Sequence, residues 1–185
     1  QSHRAAAAAD EADAEATATD APVETVGSAA APAARLVRGT TVDPGIFRAY
    51  DIRGVVGKTL SVPVAELIGQ AIGSVMAEQG LTEVVVARDG RLSGPELSTG
   101  LIEGLRKAGR DVIDIGMVPT PVAYFAAFHL RTGTCVAVTG SHNPSDYNGF
   151  KIVVGGETLS GAAITDLYTR ISEGQLHSAE RGGLT

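Results

Sequence analysis

Between residues 42 and 172 the apolar positions switch repeatedly from the three-to-four spacing of a helix to the short unbroken runs of a buried strand. Leu67, Ile68, Ala71, Ile72 and Val75 recur at helical spacing after Pro63, and Gly80 stops them, which predicts a helix over 63–79. Val84-Val85-Val86 follows as a short buried strand. Ser93-Gly94-Pro95-Glu96 has capping-box spacing, with a hydroxyl for the first turn and a carboxylate further on, and predicts a helix through Lys107 to Gly109. The pattern continues with a strand at 112–115, a helix at 121–130, strands at 134–139 and 150–154, and a last helix at 162–172. Such alternation predicts an α/β fold, a layered sandwich with a mixed, mostly parallel sheet flanked by helices. Ligands of such sheets sit beyond the carboxyl ends of the strands, which directs attention to the loops after Val86, Ile115 and Val138.

Residues 1–40 break this pattern. They hold 15 alanines and six acidic residues, no aromatic residue and one leucine, Leu36, too little apolar surface to fold alone. Transient helix is expected around Ala5 to Ala18, interrupted by Pro22, Gly27 and Pro32. The expected organisation is a disordered linker or tail over 1–40, one domain over 41–175, and a linker over 176–185. A net charge of −6 with no block of Lys or Arg argues against a nucleic-acid partner. Cys135 stands alone, which removes an internal disulfide or a cysteine-based metal cluster and leaves a small buried residue. No run approaches the roughly 20 apolar residues of a membrane span. The first residues also lack an initiating Met and the layout of a signal peptide. The chain therefore reads as a soluble, cytoplasmic segment of something larger, without membrane contact.

Chemistry concentrates in Thr139-Gly140-Ser141-His142-Asn143-Pro144 and the following Asp146-Tyr147-Asn148-Gly149-Phe150-Lys151. Gly140 is expected to let the backbone turn sharply, Pro144 to stiffen the far side, and Asn148-Gly149 to form a turn leading into the next strand. Ser141 then stands at the tip of a constrained loop. Alternation on that strand puts Phe150, Ile152 and Val154 on one face and Lys151 on the other. A cation beside a serine suits phosphoryl chemistry, either holding a phosphate as a point charge or, with a lowered pKa, moving a proton of a sugar hydroxyl.

On these residues the chain resembles the α-D-phosphohexomutases, most closely the bacterial phosphomannomutase/phosphoglucomutases, over about Phe47 to Gly174. Ala49-Tyr50-Asp51-Ile52-Arg53-Gly54, Arg88-Asp89-Gly90-Arg91 and Gly116-Met117-Val118-Pro119-Thr120-Pro121 are similar to further family stretches. The resemblance implies that Ser141 carries the transferable phosphate and that His142 and Asn143 line the site. It also implies a general acid/base at Lys151, a functional Arg53 and a Tyr50 that faces substrate. Asp51, Arg88 and Asp89 suit structural ion pairs as well as they suit substrate. In this family Mg²⁺ is held by the serine phosphate and an Asp-x-Asp-x-Asp loop of a second domain, and further domains recognise the sugar. The chain lacks that loop, so Ser141 is its one implied metal ligand. The implied partners are hexose phosphates, hexose 1,6-bisphosphate and the remaining domains of the same enzyme. In the implied cycle phospho-Ser141 phosphorylates a hexose monophosphate to the bisphosphate and takes back the other phosphate, and the isolated fragment is expected to be inactive. A phosphoglucosamine mutase domain would keep the same loop, and a non-catalytic sugar-phosphate-binding module is the alternative of another class.

Other motifs fail on their spacing. Gly57-Lys58-Thr59 lacks the earlier glycine of a phosphate-binding P-loop, where Ile52 stands. Ser141 has Thr139 and Asn143 where a nucleophile elbow has glycines, and His142 is too close in sequence to act as its base. His129 and His177 stand singly. Asp10, Asp13 and Glu15 imitate acidic spacing but are flanked by alanine and expected to be disordered.

Overall fold

The computed structural model describes residues 32–185. A hairpin of β1 (Arg35–Val37) and β2 (Thr40–Val42) leads through a short 3-10 turn at Pro44–Ile46 into β3 (Ile52–Val55). Then come α1 (Val62–Glu78), β4 (Glu83–Arg88), α2 (Gly94–Lys107), β5 (Asp111–Met117), α3 (Thr120–His129) and β6 (Cys135–Val138). The last elements are β7 (Tyr147–Val154), β8 (Glu157–Thr158) and α4 (Ala162–Ser172). One sheet runs in the order β3-β7-β6-β4-β5, with β8 paired to β7.

Two layers of helix cover this sheet unequally. On one face Ile68 and Ile72 of α1, Leu97 and Leu101 of α2 and Leu167 of α4 are buried with Val84, Val86, Val136, Phe150 and Ile152. On the other, Val85, Ala87, Cys135 and Ala137 meet Ala123, Ala126 and Ala127 of α3. Strands β4 and β6 are therefore apolar at successive positions because both of their faces are covered. Helix α3 is rich in apolar residues along its length yet leaves Phe125 and Phe128 exposed. Helices α1 and α2 touch backbone to backbone. A Cβ on Gly104 would lie 1.9 Å from the Glu66 carbonyl oxygen, and one on Gly69 would lie 2.1 Å from that of Leu101. Glycine costs helix stability at these positions, and the close crossing explains its presence.

The predicted helices match the observed ones closely, but several local readings change. Only the β6-β4-β5 block is parallel; β3, β7 and β8 pair antiparallel, so the sheet is mixed without being mostly parallel. The connection over 139–146 holds no crossover helix, so β7 must return antiparallel to β6. Ser93 does not close a capping box, because its backbone is helical and its side chain makes no cap bond; its Oγ instead accepts from Asn148 Nδ2 at 2.9 Å. Asn148-Gly149 is not a turn: both residues lie inside β7, opposite Gly54 and Arg53. Among the described residues, paired strand already stands before the expected boundary at residue 41, since Arg38-Gly39, both at positive φ, form the two-residue turn of the β1-β2 hairpin. Residues 176–185 pack rather than trail: His177 and Ser178 bond Gln70, and Leu184 pairs beside Val112. The helix expected near Ala5 to Ala18 and the acids Asp10, Asp13 and Glu15 lie outside the described residues.

Candidate active site

Strands β4, β5 and β6 run parallel, so the loops at 89–93 and 139–146 leave the same edge of the sheet from neighbouring strands. The first loop holds the second. Asp89 Oδ2 accepts from the Thr139 hydroxyl at 2.9 Å and from the Gly140 N–H at 3.0 Å, while its Oδ1 accepts from the Arg91 N–H at 3.0 Å. Arg91 then reaches into the loop, where Nη1 donates to the carbonyls of Pro144 (2.6 Å) and Tyr147 (2.9 Å). Its Nη2 donates to those of Ser141 (3.2 Å) and Asn143 (2.7 Å). Gly140 does not have positive φ; it is glycine because a Cβ there would lie 1.8 Å from Arg91 Nε.

Ser141 itself has φ +50, a conformation unfavourable for a side-chain-bearing residue, and its N–H donates to Thr139 Oγ1 at 3.0 Å. Its side chain is exposed, as is that of His142. Asn143 is half-buried and turns inward, its Nδ2 donating to the Gly140 carbonyl at 3.1 Å. Asn143 also lines an open groove of about 770 Å³ with Asp89, Arg91, Ser93, Ser145 and Asp146.

Lys151 and Arg53 stand on the face that carries α3. The pairings Arg53 with Gly149 and Lys151 with Ala137 set them there, while Phe150, Ile152 and Val154 enter the core opposite, as alternation requires. Arg53 is 3% exposed; Nη1 donates to the Thr139 carbonyl at 3.0 Å and Nη2 to the Asp51 carboxylate. Lys151 Nζ lies 3.7 Å from the same Asp51 oxygen, with a third of its side chain exposed. Gly149 permits this packing, since a Cβ there would lie 2.0 Å from the Ile52 carbonyl oxygen on β3. Tyr50, expected to face substrate, is 78% exposed. The sequence reading gave no role to Arg91 or to Asp89 as holders of the loop. The available signal was Asp-Gly-Arg at the carboxyl end of a strand adjacent to β6.

Cys135 packs against α3. Burial pushes its thiol up to about 11, which keeps it protonated at neutral pH and suits packing rather than nucleophilic chemistry. Among the described residues no three His, Cys, Asp or Glu side chains gather as metal ligands. Mg²⁺ demands a near-octahedral set of oxygens, so the Ser141 hydroxyl does not by itself fit that ion. Among the same residues no helix is long and apolar enough to cross a membrane.

Fold and loop together define an α/β/α domain that presents Ser141 on a held loop at the carboxyl edge of its sheet. The family described as phosphoglucomutase/phosphomannomutase, alpha/beta/alpha domain I, matches residues 44–177, and the chain belongs to that family. It is 56% identical over 141 residues to a phosphomannomutase/phosphoglucomutase of Pseudomonas aeruginosa, covering 76% of this chain and 30% of that protein. It is 51% identical over 138 residues to a phosphoglucomutase of Neisseria meningitidis serogroup B, with 75% and 30% covered. A crystal structure of a phosphoglucomutase/phosphomannomutase family protein from Burkholderia thailandensis superposes with a TM-score of 0.74 at 53% identity, over 78% of this chain and 33% of that one. The chain thus spans about 30% of the length of these curated relatives.

Proposed function

We propose that this chain is the phosphoserine-bearing domain of a cytoplasmic hexose-phosphate mutase, an isomerase interconverting 1- and 6-phosphates of glucose or mannose, and that 41–175, with the preceding hairpin and the packed segment 176–185, is its folded unit. The observation that carries the reading is the presentation of Ser141: an exposed residue on a loop whose carbonyls and N–H groups are already bonded to Asp89, Arg91 and Thr139. A loop fixed in advance suits phosphoryl transfer, where the protein's work is positioning and charge stabilisation.

In the proposed cycle the bond between phosphorus and Ser141 Oγ breaks as a bond forms from phosphorus to the free O1 or O6 of a hexose monophosphate. The sugar hydroxyl gives its proton to the Lys151 amine, and the departing Ser141 Oγ takes up a proton from solvent. Transfer of the other phosphate back to Ser141 Oγ, whose proton returns to solvent, yields the isomerised monophosphate, and Lys151 returns its proton to the sugar oxygen that is released. His142 and Asn143 border the donor, and Arg53 holds the root of the loop through the Thr139 carbonyl. Mg²⁺ would supply charge neutralisation at the phosphate, with its remaining ligands outside this chain. Tyr50 would meet substrate only in the assembled enzyme, and the fragment alone should not turn over.

The test is intact mass spectrometry and peptide mapping of the full-length enzyme, with a glucose 1-phosphate to glucose 6-phosphate assay. One phosphoryl group on Ser141, and activity lost by several orders of magnitude in Ser141→Ala, is the expected result. A stable phosphate on another residue, or near-normal turnover by Ser141→Ala, would reject the assignment.

A further inference from the structure

We infer that Arg91 is the positioning residue of the serine loop: its guanidinium sets the pose in which Ser141 is presented, and Gly140 is glycine to leave room for it. This rests on the proposed role of Ser141 and adds the group, outside the loop, that determines its geometry.

The loop has little internal structure to fix its shape. Its own backbone bonds between 139 and 147 are Asn143 N–H to the Gly140 carbonyl and Tyr147 N–H to the Pro144 carbonyl, two isolated turns. The carbonyls of Ser141, Asn143, Pro144 and Tyr147 all point to one place, and one guanidinium fills it with both terminal nitrogens, each donating twice. The carbonyls of Asn143 and Tyr147 are half-buried, where the loss of a donor is costly, so removing this side chain admits water or lets the loop open. An ammonium cannot replace the guanidinium, because its donors radiate from one point and do not span four acceptors arranged around a plane.

Two further observations point the same way. A Cβ on Gly140 would fall 1.8 Å from Arg91 Nε, 1.9 Å from Cζ and 2.5 Å from Nη2, so the two positions exclude each other's alternatives. Ser141 is kept at positive φ, which persists only where surrounding contacts over-determine the backbone. Here those contacts are Thr139 Oγ1 on its N–H and Arg91 on its carbonyl. The arrangement also separates Arg91 from a phosphate ligand. The fork that would grip two phosphate oxygens is spent on backbone, with Asp89 Oδ2 balancing its charge 3.7 Å from Nε.

The test uses Arg91→Ala and Arg91→Lys in the full-length enzyme, and the same variants of this chain for amide hydrogen exchange. Misplacing the donor serine by about 1 Å should lower kcat about 10²-fold. KM for the hexose phosphate should stay within about threefold, since Arg91 makes no uniform binding contact. Arg91→Lys should recover little, added guanidinium ion should partly restore Arg91→Ala, and exchange should rise at 140–146 while α1 and α2 stay protected. If Arg91→Ala does not fold, Arg91→Lys carries both measurements. Unchanged kcat, a rise in KM with kcat intact, or unchanged exchange in the loop would overturn the inference. A wild-type full-length enzyme without mutase activity would instead reject the proposed function, and the exchange measurement would still decide whether Arg91 sets the loop.

Discussion

Replacing Asp51 by alanine should destabilise this domain far more than replacing a surface acid, because Asp51 is the counter-charge of a buried arginine. Arg53 is 3% exposed, and its partners are the Asp51 carboxylate and the Thr139 carbonyl. Asp51→Ala leaves the guanidinium buried without an opposite charge, a situation that costs about 3–5 kcal/mol. For a domain of this size each kcal/mol lowers Tm by about 2–4 °C, so a drop of roughly 6–20 °C is expected by calorimetry. Glu66→Ala provides the comparison. It removes an ion pair with Lys107, whose side chain is 53% exposed, and such pairs contribute about 1 kcal/mol at most. The double variant Asp51→Ala/Arg53→Met removes the stranded charge as well and should recover most of the loss, short of the bond to Thr139, worth about 1 kcal/mol. Equal melting shifts for Asp51→Ala and Glu66→Ala, or a double variant no better than Asp51→Ala, would refute the claim that burial makes this pair matter.

Gly104→Ala places a methyl against the Glu66 carbonyl and forces α1 and α2 apart; overpacking of this kind costs about 1–3 kcal/mol. Gly90→Ala, whose new Cβ would find Met117 Sδ no nearer than 3.7 Å, should melt like wild type. Lys151→Ala should lower kcat of the full-length enzyme on the order of 10²–10⁴ while Tm moves little, and near-normal kcat would remove Lys151 from proton transfer. Cys135 contributes a pH dependence: burial raises its folded pKa from 9.0 to about 11, so the folded state holds the proton longer than the unfolded chain. That contribution, on the order of 3 kcal/mol, is complete below pH 9 and lost as pH rises from 9 to about 11. Melting curves over this range should fall more steeply for wild type than for Cys135→Ala, and parallel curves would contradict the assignment.

The four α-helices of the described residues were legible because glycine and proline punctuate strong apolar periodicity: the helix predicted at 63–79 is α1 at Val62–Glu78, and the one at 162–172 is α4 over the same range. Where the sequence misled, a distant partner had replaced a local preference. Asn148-Gly149 prefers a turn, yet β3 pairs with both residues, and the missing side chain at 149 serves the approach of the Ile52 carbonyl. Ser93 prefers to cap α2, yet its hydroxyl receives a bond from Asn148 across a gap that no local pattern spans. The β1-β2 hairpin was hidden by its exposed Leu36 and alanine-rich surroundings, and Arg38-Gly39 was its only turn signal.

The same logic separates the two halves of the site. The serine loop could be read because its chemistry is contiguous in sequence, whereas the pose of that chemistry is set by Asp89 and Arg91, about 50 residues earlier. Their relevance follows only once β4 and β6 are known to be parallel neighbours, which brings the two loops to one edge. Gly140 shows how such dependence is written into a sequence. Read alone it suggests backbone freedom, but its φ requires none, and the need for glycine comes from the guanidinium that fills its side-chain space. A substitution at 140 and one at 91 should therefore be non-additive, because each removes the same geometric lock. Gly140→Ala should cost less in an Arg91→Ala background than in wild type, and the melting temperatures of the four proteins in that cycle would measure the coupling directly.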